Sequence, residues 1–205
     1  IGGPEGAQKI VALFKERKIE PECVIDEGGS IIHGVMPGLE APAALVGIAE
    51  KGYVSYALTV RQPGGHSSTP PSQSAIGILS AAIAKLEANP FPGGMTGPSK
   101  EMFAAFGPEM PFAQRAVFAN LWLLSPLVER MLSGAPETNA IVRTTTAVTM
   151  ISGGVKDNVL PPEAKAVVNF RILPGETYKS VCERITKIID DDRVEIAAIE
   201  KEPRD

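Results

Sequence analysis

One of the chain's two histidines, His66, lies in the segment GGHSSTPP at residues 64–71. The glycines before it free the backbone, and the prolines after it stiffen the exit. Such a loop presents an imidazole at the end of a sheet, where it can donate a hydrogen bond to a carbonyl oxygen or to the oxyanion that forms from it. The alternative is a histidine that only hydrogen-bonds within its own turn.

A candidate metal ligand, Asp26, ends the apolar run ECVID at residues 22–26 and is followed by Gly28 and Gly29. Active-site acids of α/β sheets often lie at the carboxyl ends of strands. A carboxylate there suits zinc, manganese or magnesium. The alternative is an aspartate that initiates a turn.

Two further polar residues are candidates for substrate binding. Asn158 lies in a tight loop before Pro161 and Pro162, and Arg171 faces the polar side of the strand that follows. An amide side chain both donates and accepts hydrogen bonds, and a guanidinium clamps a carboxylate with two parallel bonds. The alternative is a turn asparagine and a solvated strand arginine.

Several other chemistries find no support in the sequence. There is no HxH or HExxH motif, and His33 is interpreted as structural. Cys23 and Cys182 form no CxxC pattern, and two free thiols are favoured over one long-range disulfide. The net charge of −4 without a basic stripe argues against nucleic acid as a partner. The sequence contains no run of 18 consecutive apolar residues, so it predicts no membrane span. The cellular compartment is not determined.

From residue 52 onward, the elements predict an α+β fold. The patterns indicate strand 52–62, helix 74–89, a helical insertion at 91–142, strands 144–152 and 163–173, helix 177–191 and strand 193–200. This is the ferredoxin-like βαββαβ order, a four-stranded antiparallel sheet with two helices on one face. The edges of such a sheet need cover, which predicts self-pairing into a dimer.

The first 50 residues have a different rhythm. An amphipathic helix at 4–18, a buried strand at 22–26 and a strand-like run within 43–52 are typical of an α/β sheet. We therefore interpret residues 1–50 as a strip of an α/β domain and residues 51–205 as a second domain that carries the insertion.

Together, these segments resemble the lid half of the zinc exopeptidases that include acetylornithine deacetylase, succinyl-diaminopimelate desuccinylase and glutamate carboxypeptidase (peptidase family M20). The resemblance rests on VIDEGG, EKGYVSYALTVRQPGGHSSTPP and TTTAVTMISGGVKDNVLPPEAKAVVNFRILPG. RTTTAVT and NVLPPEAKAVVNFRILPGET, with the insertion before them, are similar to the carboxypeptidase S and N-acyl-amino-acid hydrolase branch in particular.

The resemblance implies a role for each candidate residue. In this family a catalytic domain binds two zinc ions, and a lid domain forms a homodimer. His66 matches the lid histidine that reaches into the partner's active site and polarises the scissile carbonyl. Asp26 matches a carboxylate ligand of one zinc, Asn158 a lid residue near the reacting centre, and Arg171 an arginine that meets the substrate carboxylate.

The sequence also departs from the family pattern. The HxD motif, the bridging aspartate, the Glu-Glu pair that supplies the general base, and the last metal-binding histidine have no counterpart in it. A catalytic zinc takes at least three protein ligands. We therefore expect the chain to bind no zinc tightly and to be inactive by itself. The expected substrate of the intact enzyme is a small peptide or an N-acyl amino acid. The alternative is a non-catalytic ferredoxin-like module for dimerisation or ligand binding.

Overall fold

A computed structural model describes residues 6–25, 29–95 and 97–199 of the protein. The helices are α1 (Ala7–Arg17), α2 (Ala75–Ala88), α3 (Gly97–Phe106), α4 (Phe112–Ala119), α5 (Leu121–Leu132), α6 (Pro136–Val142) and α7 (Tyr178–Ile189). The strands are β1 (Ser30–Ile32), β2 (Ala43–Leu45), β3 (Gly52–Arg61), β4 (Gly65–His66), β5 (Thr145–Gly153), β6 (Val159–Leu160), β7 (Glu163–Ile172) and β8 (Val194–Ala198).

The main sheet has the strand order β5-β7-β3-β8, and every neighbouring pair is antiparallel. Its central pair, β3 and β7, runs in register from Gly52 opposite Ile172 to Arg61 opposite Glu163. Helices α2 and α7 pack against the sheet and against each other. The predicted ferredoxin-like fold is therefore confirmed.

The core lies between this sheet and the two helices. The alternating apolar side chains of β3 and β7 are buried as their pattern predicts, and Tyr56 and Phe91 each meet Phe170 edge to face at 5.9 Å. The opposite face of β3 is less exposed than predicted, because strands on both sides cover Ser55 and Thr59.

Both core helices begin at residues suited to the N-cap. The Ser74 hydroxyl accepts a hydrogen bond from the Gly77 N–H at 3.2 Å, and Thr177 forms a reciprocal capping box with Ser180. The spacing of apolar residues in α2 predicts a buried stripe of Ile76, Leu79, Ile83 and Leu86. This prediction is partly wrong, because Ile76 is exposed and Ile78 is buried against the sheet.

The predicted strand at residues 22–26 is wrong for its described part. Residues 22–25 form no strand, and Val24 and Ile25 are 83% and 91% exposed. A strand exists only with a partner, and no described residues pair with this segment. Asp26 itself lies outside the described residues. The run within 43–52 contributes only β2, which pairs with β1 antiparallel.

The helices α3 to α6 form a separate apolar cluster. Phe103 stacks on Phe118 with ring centroids 5.3 Å apart, and Val128 and Val142 are buried beside them. The loop at 35–39 also joins this cluster, which the sequence did not indicate. The Gln114 side chain donates to the carbonyl of Pro37 in that loop, at 3.1 Å.

Candidate functional site

The His66 loop and the Asn158 loop are held together by a short extension of the central strand pair. Beyond the last paired residues of β3 and β7, the Gln62 N–H donates to the Pro162 carbonyl at 3.0 Å. Strands β4 and β6 then pair His66 with Val159, and the Ser67 N–H donates to the Asn158 carbonyl at 3.1 Å. Two loops far apart in sequence therefore meet at one end of the sheet.

The conformation of the loop fixes which nitrogen of His66 carries the proton. The Ser68 backbone N–H donates to Nδ1 at 3.2 Å, and the Ser68 hydroxyl lies 2.8 Å from the same nitrogen. A backbone N–H can only donate, so Nδ1 is the acceptor and the proton lies on Nε2. Because the side chain is exposed, this Nε2–H is available to a carbonyl oxygen from outside the loop.

Gly64 is the glycine of this motif that packing requires. A Cβ at Gly64 would lie 3.1 Å from the Leu160 carbonyl oxygen, tighter than ordinary contacts. The same atom at Gly65 would meet nothing within 4 Å. Gly64 therefore allows the close approach of the two loops.

Asn158 offers a hydrogen-bond acceptor beside His66. Its side chain is half-buried, and no described residue donates to its Oδ1, which is shielded from solvent. Buried polar atoms nearly always have a partner, so an orphaned acceptor points to a donor from a ligand, a water or another chain. The two side chains thus pair a donor with an acceptor.

Arg171 lies at the opposite end of the sheet. It sits on β7 eight residues beyond Glu163, about 27 Å along the strand at 3.4 Å per residue. Its guanidinium stacks 4.7 Å from the centroid of the Tyr53 ring, and it forms no ion pair with any described residue. The structure brings His66 and Asn158 together and keeps Arg171 apart from them.

Sequence reasoning missed two supporting residues. Ser68 sets the tautomer of His66, and its position two residues after the histidine is the signal that could have found it. Tyr53 forms the platform beneath Arg171, but finding it requires the register between β3 and β7.

The described residues do not form a metal centre. No group of three or more His, Cys, Asp or Glu side chains in residues 6–25, 29–95 and 97–199 is placed to hold an ion. Cys23 and Cys182 are free thiols, as the sequence favoured. No catalytic step through a metal is therefore derived from these residues.

Residues 48–196 match the family described as the peptidase dimerisation domain, of the M20 type. The chain belongs to this family. The match runs from just before β3 into β8 and includes the insertion, and the resemblance seen in the sequence is confirmed.

Curated relatives of this dimerisation domain come from the two branches that the sequence indicated. The N-fatty-acyl-amino acid synthase/hydrolase of Xenopus tropicalis is 45% identical over 200 residues, which cover 97% of this chain and 39% of the relative. A probable carboxypeptidase S-like protein of Dictyostelium discoideum is 43% identical over 201 residues, covering 97% of this chain and 38% of the relative. The chain thus spans about two fifths of their length.

Among solved structures, the M20 family metallo-carboxypeptidase of Sulfolobus solfataricus matches with a TM-score of 0.43 and 19% identity, over 73% of this chain and 42% of that one. Within the described part of the dimerisation domain, the helices are too short or too polar to cross a membrane.

Proposed function

We propose that this chain is the dimerising lid of a metal-dependent hydrolase. The bond cleaved is the amide of an N-acyl amino acid or the terminal bond of a small peptide. The similarity to an N-fatty-acyl-amino acid synthase/hydrolase and to a probable carboxypeptidase S-like protein supports this reaction class. Within it, His66 donates a hydrogen bond to the scissile carbonyl in the active site of the partner subunit.

The observation that carries the proposal is the pair of contacts that Ser68 makes to Nδ1 of His66, which leaves Nε2 as the nitrogen that faces away from the loop's own partners. Nδ1 is occupied by Ser68, so the exposed Nε2–H is a donor already fixed for an oxygen that gains negative charge. Asn158 adds an acceptor beside it for an N–H of the substrate or of the partner.

The exposed edge of β5 supports contact with a second copy near His66. In the order β5-β7-β3-β8, none of the described residues pairs with the outer side of β5, and Met150 and Ile151 on this strand are 66% and 63% exposed. An apolar groove runs between this strand and Ile76 of α2, close to Gly153. Antiparallel pairing of two β5 strands would satisfy both edges and cover both grooves.

The separation of Arg171 from His66 also supports an active site shared between subunits. In an N-acyl amino acid, only two atoms lie between the amide carbonyl carbon and the carboxylate carbon. One substrate cannot span about 27 Å, so His66 and Arg171 of one chain cannot both contact it. In the proposed dimer, Arg171 of one chain serves the substrate that His66 of the other chain polarises.

The remaining parts of the catalytic machinery are proposed to lie in a larger catalytic domain. We take residues 1–50 as a strip of that domain, and the exposed apolar side chains of this strip support the division. The large ones are Ile10, Val11, Leu13, Ile19, Val24, Ile25, Ile31, Ile32, Val46 and Ile48. Two zinc ions there, one held in part by Asp26, would supply an activated water. This chain by itself is proposed to be inactive and to bind no zinc tightly.

The test is steady-state kinetics of His66→Ala in the intact protein, with an N-acyl amino acid as substrate. Loss of one oxyanion donor lowers kcat by about 100- to 1000-fold. The matched control is His33→Ala, which removes the other exposed imidazole and should leave kcat unchanged. Equal kcat values for the two variants would contradict the proposal.

A further inference from the structure

The helical insertion carries an apolar cavity of about 440 Å³, open to the surface on one side, between α4, α5 and the loop at 35–39. We propose that this cavity binds the hydrocarbon chain of the substrate's acyl group. The inference rests on the proposed function, because it names where the acyl part of an N-acyl amino acid lies.

The lining of the cavity selects an apolar ligand. It includes Met36, Met110, Val117, Phe118 and Met131, and it exposes far more carbon than polar surface. Methionine side chains are flexible and polarisable, so they adapt to a chain that has many conformations. The composition is that of a ligand pocket rather than of a polar channel.

The polar side chains in the lining are already engaged. The Gln114 amide donates to the Pro37 carbonyl, and the Thr138 hydroxyl lies within hydrogen-bonding distance of the carbonyls of Leu132 and Ala135. Among the described residues, no charged side chain lines the cavity. A carboxylate or an amide placed inside would lose its hydrogen bonds to water without replacement, so the polar end of the ligand must stay outside.

The size of the cavity matches a chain of medium to long length. At about 30 Å³ for each water-sized group, it accepts roughly 15 such groups, and a methylene is of similar size. A short acyl group would leave most of the apolar surface without contacts.

The helical insertion that contains the cavity joins the sheet at the end where Arg171 lies. The insertion closes where the Gly94 N–H donates to the Val142 carbonyl at 2.7 Å, and Thr145, three residues later, pairs with Arg171. Met131 lines the cavity while it is 69% exposed, so it marks a mouth that opens to the surface. A substrate carboxylate at Arg171 would therefore share one end of the lid with its acyl chain.

The first experiment measures binding of octanoate, dodecanoate and hexadecanoate to the intact protein by calorimetry. Ala113→Leu projects a larger side chain into the cavity, and Met131→Gln makes its mouth polar with little change in size. Ala105→Leu on α3, exposed and outside the cavity, is the matched control.

We expect affinity for the fatty acids to rise with chain length in the wild type and the control. With Ala113→Leu, dodecanoate should bind at least about tenfold more weakly, as displacing two methylenes would cause. With Met131→Gln it should also bind more weakly, because the chain would have to displace water from the new amide.

A photoactivatable hexadecanoate analogue locates the chain independently of affinity. Labelling should fall on the lining of the cavity, at residues 36–37 or within residues 110–138. Equal affinities in all four proteins, labelling elsewhere, or no saturable binding because another segment of the protein fills the cavity would each overturn the inference.

Kinetics separate this inference from the proposed function. Ala113→Leu should lower kcat/KM for an N-hexadecanoyl amino acid about tenfold or more while leaving the N-acetyl analogue unchanged. If the protein hydrolyses neither substrate but dodecanoate binding still responds to Ala113→Leu, the proposed function fails and the cavity stands. If both substrates are hydrolysed and Ala113→Leu affects them equally, the acyl site fails and the proposed function stands.

Discussion

At the scale of single residues, the chemistry of the His66 loop depends on a neighbour two positions away. The Ser68 N–H holds Nδ1 as an acceptor, and the Ser68 hydroxyl adds a second contact to the same atom. Removing the hydroxyl leaves the backbone contact in place. The hydroxyl therefore tunes the orientation of the ring, while the backbone determines the tautomer.

We expect Ser68→Ala to lower kcat/KM of the intact protein about three- to tenfold, the effect of one lost hydrogen bond. Ser67→Ala is the control, because the contact of Ser67 to Asn158 is made by its backbone. The measurement is kcat/KM together with its pH profile. A purely structural role of Ser68 would reduce stability without moving the profile, and identical kinetics of the two variants would refute the positioning role.

Tyr56 makes the free energy of unfolding depend on pH in the alkaline range. Burial, aided by Cys182 nearby, raises the pKa of Tyr56 to about 12, and its hydroxyl donates to the Tyr178 carbonyl at 2.7 Å. A folded-state pKa above the unfolded value of about 10 means that the native state holds the proton more tightly. This contribution to stability is complete below pH 10 and is lost as the pH rises through 12.

Urea unfolding at pH 8 and pH 11.5 checks this prediction. Tyr56→Phe should be less stable than the wild type at pH 8, and the gap should shrink at pH 11.5. Tyr53→Phe, which alters a more exposed ring, should show no such change of the gap. A gap for Tyr56→Phe that is constant across this range would contradict the assignment.

At the scale of elements, the sequence predicted the helices and strands in which apolar residues recur at a regular spacing. The alternation in β3 and β7 is a local signal, and the structure agrees with it. The β4–β6 pair is too short to have a period, so its presence depends on which loops meet. The failure at residues 22–25 has the opposite cause, since an apolar run alone cannot form a strand without a partner.

The candidate site shows the same division. The loop chemistry of His66 and Asn158 could be read from residue types, because glycine, proline and polar side chains mark turns. The separation of Arg171 from Asn158 follows from the length of the strand between them. Its separation from His66 could not be read, since it depends on the register that pairs Arg171 with Tyr53 and Glu163 with Arg61. The role of Asp26 stays a prediction.

The unpaired edge of β5 carries a prediction about assembly. Ile151→Lys places a charge on this edge, which should convert the intact protein from dimer to monomer at micromolar concentration. Sedimentation velocity measures the change, and Ile199→Lys, beyond β8 at the other edge, is the control. If the dimer persists with Ile151→Lys and dissociates with Ile199→Lys, the interface lies at the β8 edge and the prediction is contradicted.

At the scale of the whole molecule, the length of the central strands separates the residue proposed to contact the scissile carbonyl from the residue proposed to contact the substrate carboxylate. One end of the sheet presents His66 and Asn158, and the other presents Arg171 beside the helical insertion. In a dimer built on the β5 edge, each end would serve a different active site. Each catalytic centre would then need residues from both subunits of the dimer.

Subunit complementation in the intact protein tests this dependence most directly. Homodimers of His66→Ala and of Asp26→Ala should each be nearly inactive, because one lacks the donor and the other a proposed zinc ligand. When the two are co-expressed, half of the dimers are mixed and one site in each is complete, so activity should recover to about a quarter of the wild-type value. Activity that stays at the level of the single variants would show that His66 acts within its own subunit and would contradict the account.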